Sequence, residues 1–345
     1  MQQVVITKVG GPEVLQVREA PDPSPMRGEV RIAVAAAGLN FADVSARVGL
    51  YPDAPKPPMT VGYEVSGTVD AVGGGVEGFA VGDRVVSLTR FGGQSSSVVV
   101  PAHQAVHLPD GLDLVHAAAI PVNYLTAYLM LVRLGNVRKG ESVLIHAAAG
   151  GVGFAALQIC RLLGAVTYGT ASSGKHERLR DAGLDHPIDY RNQDFAAEVN
   201  RLTKGRGVDV ILDAVGGRTS RKNYQLLRPL GRLFLFGASA ASQDQKRNIL
   251  KAGAAIAQFP VFHPLALMNA NKGVFGVNLG HLWDEKEMMS EVLTELLGWW
   301  SEGKIEPVVD SVFPFSKAAD AHDQLQLARN VGKVLLVPDG LGHLR

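Results

Sequence analysis

The sequence predicts an α/β protein made of a β-rich domain and a doubly wound parallel sheet. Three observations predict it. The 345 residues exceed what one core comfortably organises, since domains usually run to about 100–200 residues. Between Val30 and Val100 short β-rich segments alternate with Gly and Pro turns, the texture of an all-β region. After His116 strands alternate with helical periods, which requires parallel strands joined by crossover helices.

Element by element, the opening MQQVVITKVGG alternates like a strand. It carries neither the basic start and apolar stretch of a signal peptide nor the Arg-rich amphipathy of a transit peptide, so a cytoplasmic protein is expected. Residues 30–35, 65–72 and 96–100 read as strands, and 81–86 as a turn feeding a strand through Gly82 and Asp83. Residues 142–146 read as a strand, 152–163 as a helix, 166–170 as a strand, 175–182 as a helix and 209–212 as a strand. Leu226 and Leu227 close a helix before a strand at 232–236. A helix at 285–300 ends at Gly303, a second follows at 316–327, and 333–337 is a last strand.

Composition excludes several function classes. With 34 basic and 33 acidic side chains, no positive field is available for nucleic acid. The single cysteine, Cys160, rules out an intramolecular disulfide and a thiolate metal cluster; it reads as a structural thiol on the apolar face of its helix. The weakly polar stretch 143–160 is broken by His146, Gln158 and three glycines, so no membrane span is expected. Small-molecule chemistry remains.

The strand 142–146 runs into Ala147-Ala148-Ala149-Gly150-Gly151-Val152-Gly153 and then a helix. This is the AxGxxG variant of a dinucleotide-binding turn, with Ala148 in the first glycine slot. Gly150 admits the backbone to the pyrophosphate, and Gly153 lets the helix pack close to the strand. The amides of Ala149, Gly150, Gly151, Val152 and Gly153 then face the phosphates with the positive end of the helix dipole. An NAD site wants an Asp or Glu about 20 residues further on. Here the first acid after Gly153 is Glu177, and the strand ends in Thr170-Ala171-Ser172-Ser173-Gly174-Lys175. Hydroxyls with a lysine suit a 2′-phosphate, so NADPH is the expected cofactor, with Thr170, Ser172 and Lys175 at its adenosine end. The competing assignment makes Ser172 or Ser173 a helix cap and Lys175 a solvated charge.

Phe41-Ala42-Asp43, the run from Gly62 through Tyr63 and Glu64 to Gly67, the run from Ala80 to Val85, the glycine turn and Asn330-Val331-Gly332-Lys333 together resemble the quinone oxidoreductase family of medium-chain dehydrogenase/reductases. The likeness covers nearly the whole chain. Residues 123–128, 175–177, 186–190 and 310–315 are most similar to its synaptic vesicle amine transport protein branch. The resemblance implies a GroES-like catalytic domain from residues 1–122 and 280–345, and an inserted Rossmann NADPH-binding domain from 123–279. It implies that Asn40 and Tyr51 flank the reacting ring and that Thr126 touches the carboxamide. By the same carry-over, Tyr190 lies near the adenosine phosphate, Gly216, Phe236 and Gly237 line the nicotinamide face, and Asn330 and Lys333 close over the cofactor.

Zinc-dependent relatives hold a metal with Cys, His and a further Cys or Glu. This chain has Asn40 where they carry the first Cys, and Gly62-Tyr63-Glu64 for their Gly-His-Glu, so no metal is expected. His103 and His107 have i, i+4 spacing, but Pro101 and Pro109 bracket them, so no helix forms there to present both. His146 reads as core packing. Hydride transfer without a metal needs an acceptor that already delocalises charge, such as a quinone or an α,β-unsaturated ketone. Asn40 and Tyr51 are the candidate donors to its oxygen, with water or a cofactor hydroxyl as alternative proton sources. Tyr51 alternatively excludes water, and Asn40 alternatively organises a turn. Against the reductase stand an NADPH-binding regulatory protein with little turnover and a zinc alcohol dehydrogenase. The stretch 273–279 reads as an edge strand that a second copy covers in a homodimer.

Overall fold

The computed structural model describes residues 1–241 and 248–340. They form two compact units, one from 1–125 with 280–340 and one from 126–241 with 248–279. The first boundary falls inside the helix Pro121–Tyr128, between Leu125 and Thr126.

In chain order the first unit contributes β1 (Gln2–Ile6), β2 (Leu15–Glu19), β3 (Glu29–Leu39), β4 (Glu64–Val72), β5 (Arg84–Leu88), β6 (Ser97–Pro101) and β7 (Ala105–His107). The second contributes β8 (Ser142–Ile145), β9 (Val166–Ala171), β10 (His186–Asp189), β11 (Val208–Asp213), β12 (Leu227–Leu235) and β13 (Gly273–Gly276). The chain then returns to the first with β14 (Val309–Pro314) and β15 (Lys333–Val337).

In the first unit β1 and β2 pair antiparallel, and the main sheet runs β14-β15-β3-β4-β5-β7 with β6 also on β3. Period-two alternation on β3 points Val30, Ile32 and Val34 inward against Val65, Val69, Val85 and Val98. Each such side chain contributes about 1.5–3 kcal/mol on burial. In the second unit the order is β10-β9-β8-β11-β12-β13 and every pair is parallel. The strand sequence therefore reverses direction at β8, and the crevice of such a sheet opens at the carboxyl ends of β8 and β11.

Several expectations are corrected. The strand after Leu226 begins at once, at Leu227, because Leu227 pairs with Val208 before a register shift brings Arg232 opposite Val210. The edge strand stops at Gly276 and gives way to a 3-10 turn, Leu279–His281. The helices expected at 175–182 and 316–327 each open with a 3-10 turn and run His176–Asp181 and Ala318–Gln326. A helix Phe41–Arg47 lies unforeseen within the β-rich region; it starts at Asn40, whose N–H donates to Asp43 Oδ2 at 2.7 Å. His103 sits on a single 3-10 turn, Ala102–Gln104, that starts from Pro101, and His107 ends β7, so the two share no helical face.

Candidate functional site

The second unit builds one site at the crevice. β8 ends at Ile145, Ala147 takes the left-handed conformation at φ 52, and Gly150 caps the helix Gly151–Leu163. A left-handed alanine costs roughly 1–2 kcal/mol, and such strain persists where surrounding bonds fix it. Gly150 N–H donates to Ala147 carbonyl at 2.9 Å and Ala148 N–H to Thr170 carbonyl at 3.1 Å. A Cβ on Gly153 would stand 2.4 Å from Ala148 carbonyl oxygen, so only glycine lets the helix sit this close. Ala149 is buried, while Gly150, Gly151 and Val152 are half-buried at the helix mouth.

Behind the turn lies a support that the sequence reading did not resolve. His146 is buried; its Nδ1 meets Thr170 Oγ1 at 3.1 Å and its Nε2 meets Asn223 Oδ1 at 2.8 Å. Burial pushes its pKa down, which keeps the ring neutral and able to both donate and accept. The Thr170 hydroxyl is thus held inside, also accepting from Ala147 N–H at 3.3 Å. Asp213, at the end of β11, accepts from Val215 N–H (2.8 Å), Gly216 N–H (2.9 Å) and the Ser220 hydroxyl (2.7 Å). Its carboxylate shapes the turn through Gly216, at φ 78, against which the Phe259 ring packs. An acid closing a central strand was the available signal for it. Gly237 lies beside Ala214, whose carbonyl would be 2.7 Å from an added Cβ, and Phe236 N–H donates to Asp213 carbonyl.

At the neighbouring strand ends, the register pairs Ala171 with Asp189, so Ser172 and Tyr190 leave the sheet side by side. Tyr190 is exposed, Ser172 and Lys175 are half-exposed, and Ser172 makes no side-chain cap bond. Thr126 is buried in the helix Pro121–Tyr128. Cys160 is buried on the helix Gly151–Leu163, and burial pushes its thiol pKa up.

The first unit builds a different cluster. Lys333, at the start of β15, is 2% exposed and Glu64, at the start of β4, is fully buried. The Lys333 ammonium donates to Glu64 Oε1, to Asn40 Oδ1 at 2.7 Å and to Asn123 Oδ1 at 3.5 Å. Glu64 Oε1 also accepts from Asn40 Nδ2 at 2.8 Å, and its Oε2 from Val122 N–H at 2.7 Å. Asn330 is buried and donates through Nδ2 to Gly332 carbonyl at 2.7 Å. Asp43 lies beneath, accepting from Asn40 N–H and from Gly62 N–H at 2.9 Å; burial raises its pKa to about 7, against the pull of these N–H groups and of Lys333.

Tyr51 packs edge-on against Tyr63 at 5.9 Å, and Tyr63 lies 5.5 Å from Phe91. These three rings, with Trp283 and the Asp53–His281 pair (2.8 Å), line a cavity of about 400 Å³, within the range that small-molecule sites occupy. Burial raises the pKa of both tyrosines. The Tyr63 hydroxyl is shielded and has no hydrogen-bond partner among the described residues. The sequence marked this tyrosine only as the residue in a metal ligand's place.

A dinucleotide turn at the reversal point of a doubly wound sheet, carried in one chain with a β-rich unit, defines the dehydrogenase class of α/β proteins. An alcohol dehydrogenase GroES-like domain model matches residues 26–110 and a zinc-binding dehydrogenase model matches residues 182–336. The chain is 45% identical over 339 residues to the synaptic vesicle membrane protein VAT-1 homolog of Rattus norvegicus, covering 97% of this chain and 83% of that one. It is 36% identical over 343 residues to a quinone oxidoreductase of Pseudomonas aeruginosa, covering 98% and 99%. The structure of Escherichia coli quinone oxidoreductase complexed with NADPH superposes with a TM-score of 0.87 at 31% identity, over 98% of this chain and all of that one. The chain belongs to the medium-chain dehydrogenase/reductase family of oxidoreductases, close to the VAT-1 homologs and quinone oxidoreductases.

The family's zinc does not fit this chain. Where zinc relatives place a Cys, a His and a Glu, Asn40, Tyr63 and Glu64 stand, and a lysine ammonium already bonds both Asn40 and Glu64. Among the described residues no group of three His, Cys, Asp or Glu is gathered elsewhere to hold a metal. Among the same residues no helix is long and apolar enough to cross a membrane.

Proposed function

We propose that this chain is an NADPH-dependent reductase that delivers a hydride to quinones or α,β-unsaturated carbonyl compounds without a metal. The observation that carries the reading is the crevice of the second unit. A strained, glycine-capped helix mouth at the end of β8 lies one strand away from Ser172 and Lys175, which follow β9, and two from Tyr190, which follows β10, with no acid closing β9. Bound there, NADPH supplies the hydride.

The amides from Ala149 to Gly153 hold the pyrophosphate, and Ser172, Lys175 and Tyr190 hold the 2′-phosphate. Thr170 reaches the cofactor through the turn it braces. Thr126, Gly216, Phe236 and Gly237 take the nicotinamide end. Asn330 and Lys333, expected to close over the cofactor, are bonded within their own unit, which favours a role for Lys333 at Asn40. Asn40 and Tyr51 serve the acceptor: Asn40 offers an N–H to its oxygen, while Tyr51 walls an aromatic cavity suited to a flat conjugated ring. An acceptor that spreads charge over a conjugated system needs only such hydrogen bonds, because no isolated alkoxide develops.

The test is consumption of NADPH with a panel of quinones and enones. Turnover with members of either class, and weak turnover with simple ketones, is expected. The 45% identity to a protein named for synaptic vesicle membranes favours, as a second reading, an NADPH-binding regulator; tight binding without turnover across the panel would select it.

A further inference from the structure

We infer that the Lys333 ammonium does the work of the absent metal: held against Glu64, it fixes and polarises the Asn40 carboxamide, so that the Asn40 N–H now spent on a long bond to Gly38 carbonyl becomes the donor to the acceptor's oxygen. The inference rests on the reductase reading and deepens it.

The bonds around Asn40 have one weak direction. Its Oδ1 accepts from the Lys333 ammonium at 2.7 Å. One Nδ2 hydrogen goes to Glu64 Oε1 at 2.8 Å, and the second has only Gly38 carbonyl at 3.4 Å. Lys333 and Glu64 are buried, whereas Asn40 is half-buried, so of the three Asn40 is the residue with access to solvent. A cation on an amide oxygen draws electron density from its nitrogen, and hydrogen bonds polarise one another in series at low dielectric. The outer N–H is thereby strengthened as a donor.

The carboxamide cannot rotate to lose this arrangement. Flipping it would set NH2 against the ammonium and C=O against the carboxylate, and both contacts would repel. Asp43 fixes the backbone below, through Asn40 N–H. In the reaction the acceptor gains two electrons and a hydrogen as hydride, charge moves onto its oxygen, and a solvent proton completes the product. Asn40 holds that oxygen throughout and transfers no proton. Lys333 is a positioning residue, acting through Asn40.

The experiment compares Asn40→Ala, the paired variant Lys333→Met with Glu64→Gln, and the triple combination. The pair is changed together because removing either charge alone strands the other in the interior. Expected is a fall in kcat of about 30-fold or more in the paired variant, unchanged NADPH affinity, and no further loss when the pair is added to Asn40→Ala. Additive losses, or weakened NADPH binding with kcat intact, would overturn the inference. A second readout does not need turnover. 4-Nitrophenol bound to the wild-type protein should ionise at lower pH than in water, and this shift should vanish in the paired variant. Absence of the shift in wild type sinks the inference even if quinones are reduced; its presence in a protein that reduces nothing sinks the reductase reading alone.

Discussion

Asp43 is an acid whose ionisation the fold moves up to about neutral pH. Its carboxyl titrates at about 7, above the ordinary 3.8, chiefly through burial. The folded state therefore binds this proton more tightly than the unfolded chain. Its contribution to stability is complete below about pH 4 and is lost as pH rises through about 7. Melting temperature in the wild type should decline over that window, and Asp43→Asn should flatten the slope while lowering the plateau, since one backbone N–H then faces an amide NH2. A slope unchanged in the variant would assign the titration elsewhere. Lys175 tests the cofactor end: Lys175→Ala should raise the Kd for NADPH about tenfold or more and leave NADH almost untouched. Equal weakening of both nucleotides would make the lysine a bystander.

At the scale of elements, the junction of β8 with the helix Gly151–Leu163 governs the nucleotide site. Gly153→Ala puts a methyl against Ala148 carbonyl oxygen, a backbone atom with no rotamer to yield. The helix must retreat, at a cost of about 1–3 kcal/mol, and its amides leave the pyrophosphate. NADPH titration should show at least tenfold weaker binding with the fold retained by circular dichroism. Unchanged affinity would move the phosphates off this turn. This junction was legible in the sequence because its information is local: strand, turn and helix follow one another, and each glycine answers a contact within a few positions. The cluster around Asn40 was not legible. Its partners lie 24 positions away at Glu64 and 293 positions away at Lys333, and the pairing of β3 with both β4 and β15 joins them. The sequence marked Asn40 and Lys333 separately, without their connection. The helix Phe41–Arg47 escaped for a related reason, since at seven residues it is too short to display a period.

For the whole molecule, the six-stranded sheet ends at β13, and among the described residues no strand pairs beyond it. The segment leading to that edge exposes Leu250, Val261, Leu265 and Met268, with Val261 at 96%. An open strand beside exposed apolar side chains invites pairing with a like edge around a two-fold axis. Light scattering should give twice the mass of one chain, and Val261→Asp with Met268→Asp should shift it to the monomer. A monomeric wild-type protein at micromolar concentration ends that reading.

A chain that reduces quinones or enones, as proposed, must survive its own substrates. Quinones and enones alkylate accessible sulfur, and a reductase that meets them at every turnover risks arylating itself. The single thiol of this chain is sealed in the core of the helix Gly151–Leu163, and burial disfavours its reactive thiolate. The native protein offers these electrophiles no exposed thiol, and Cys160 becomes available to them only on unfolding.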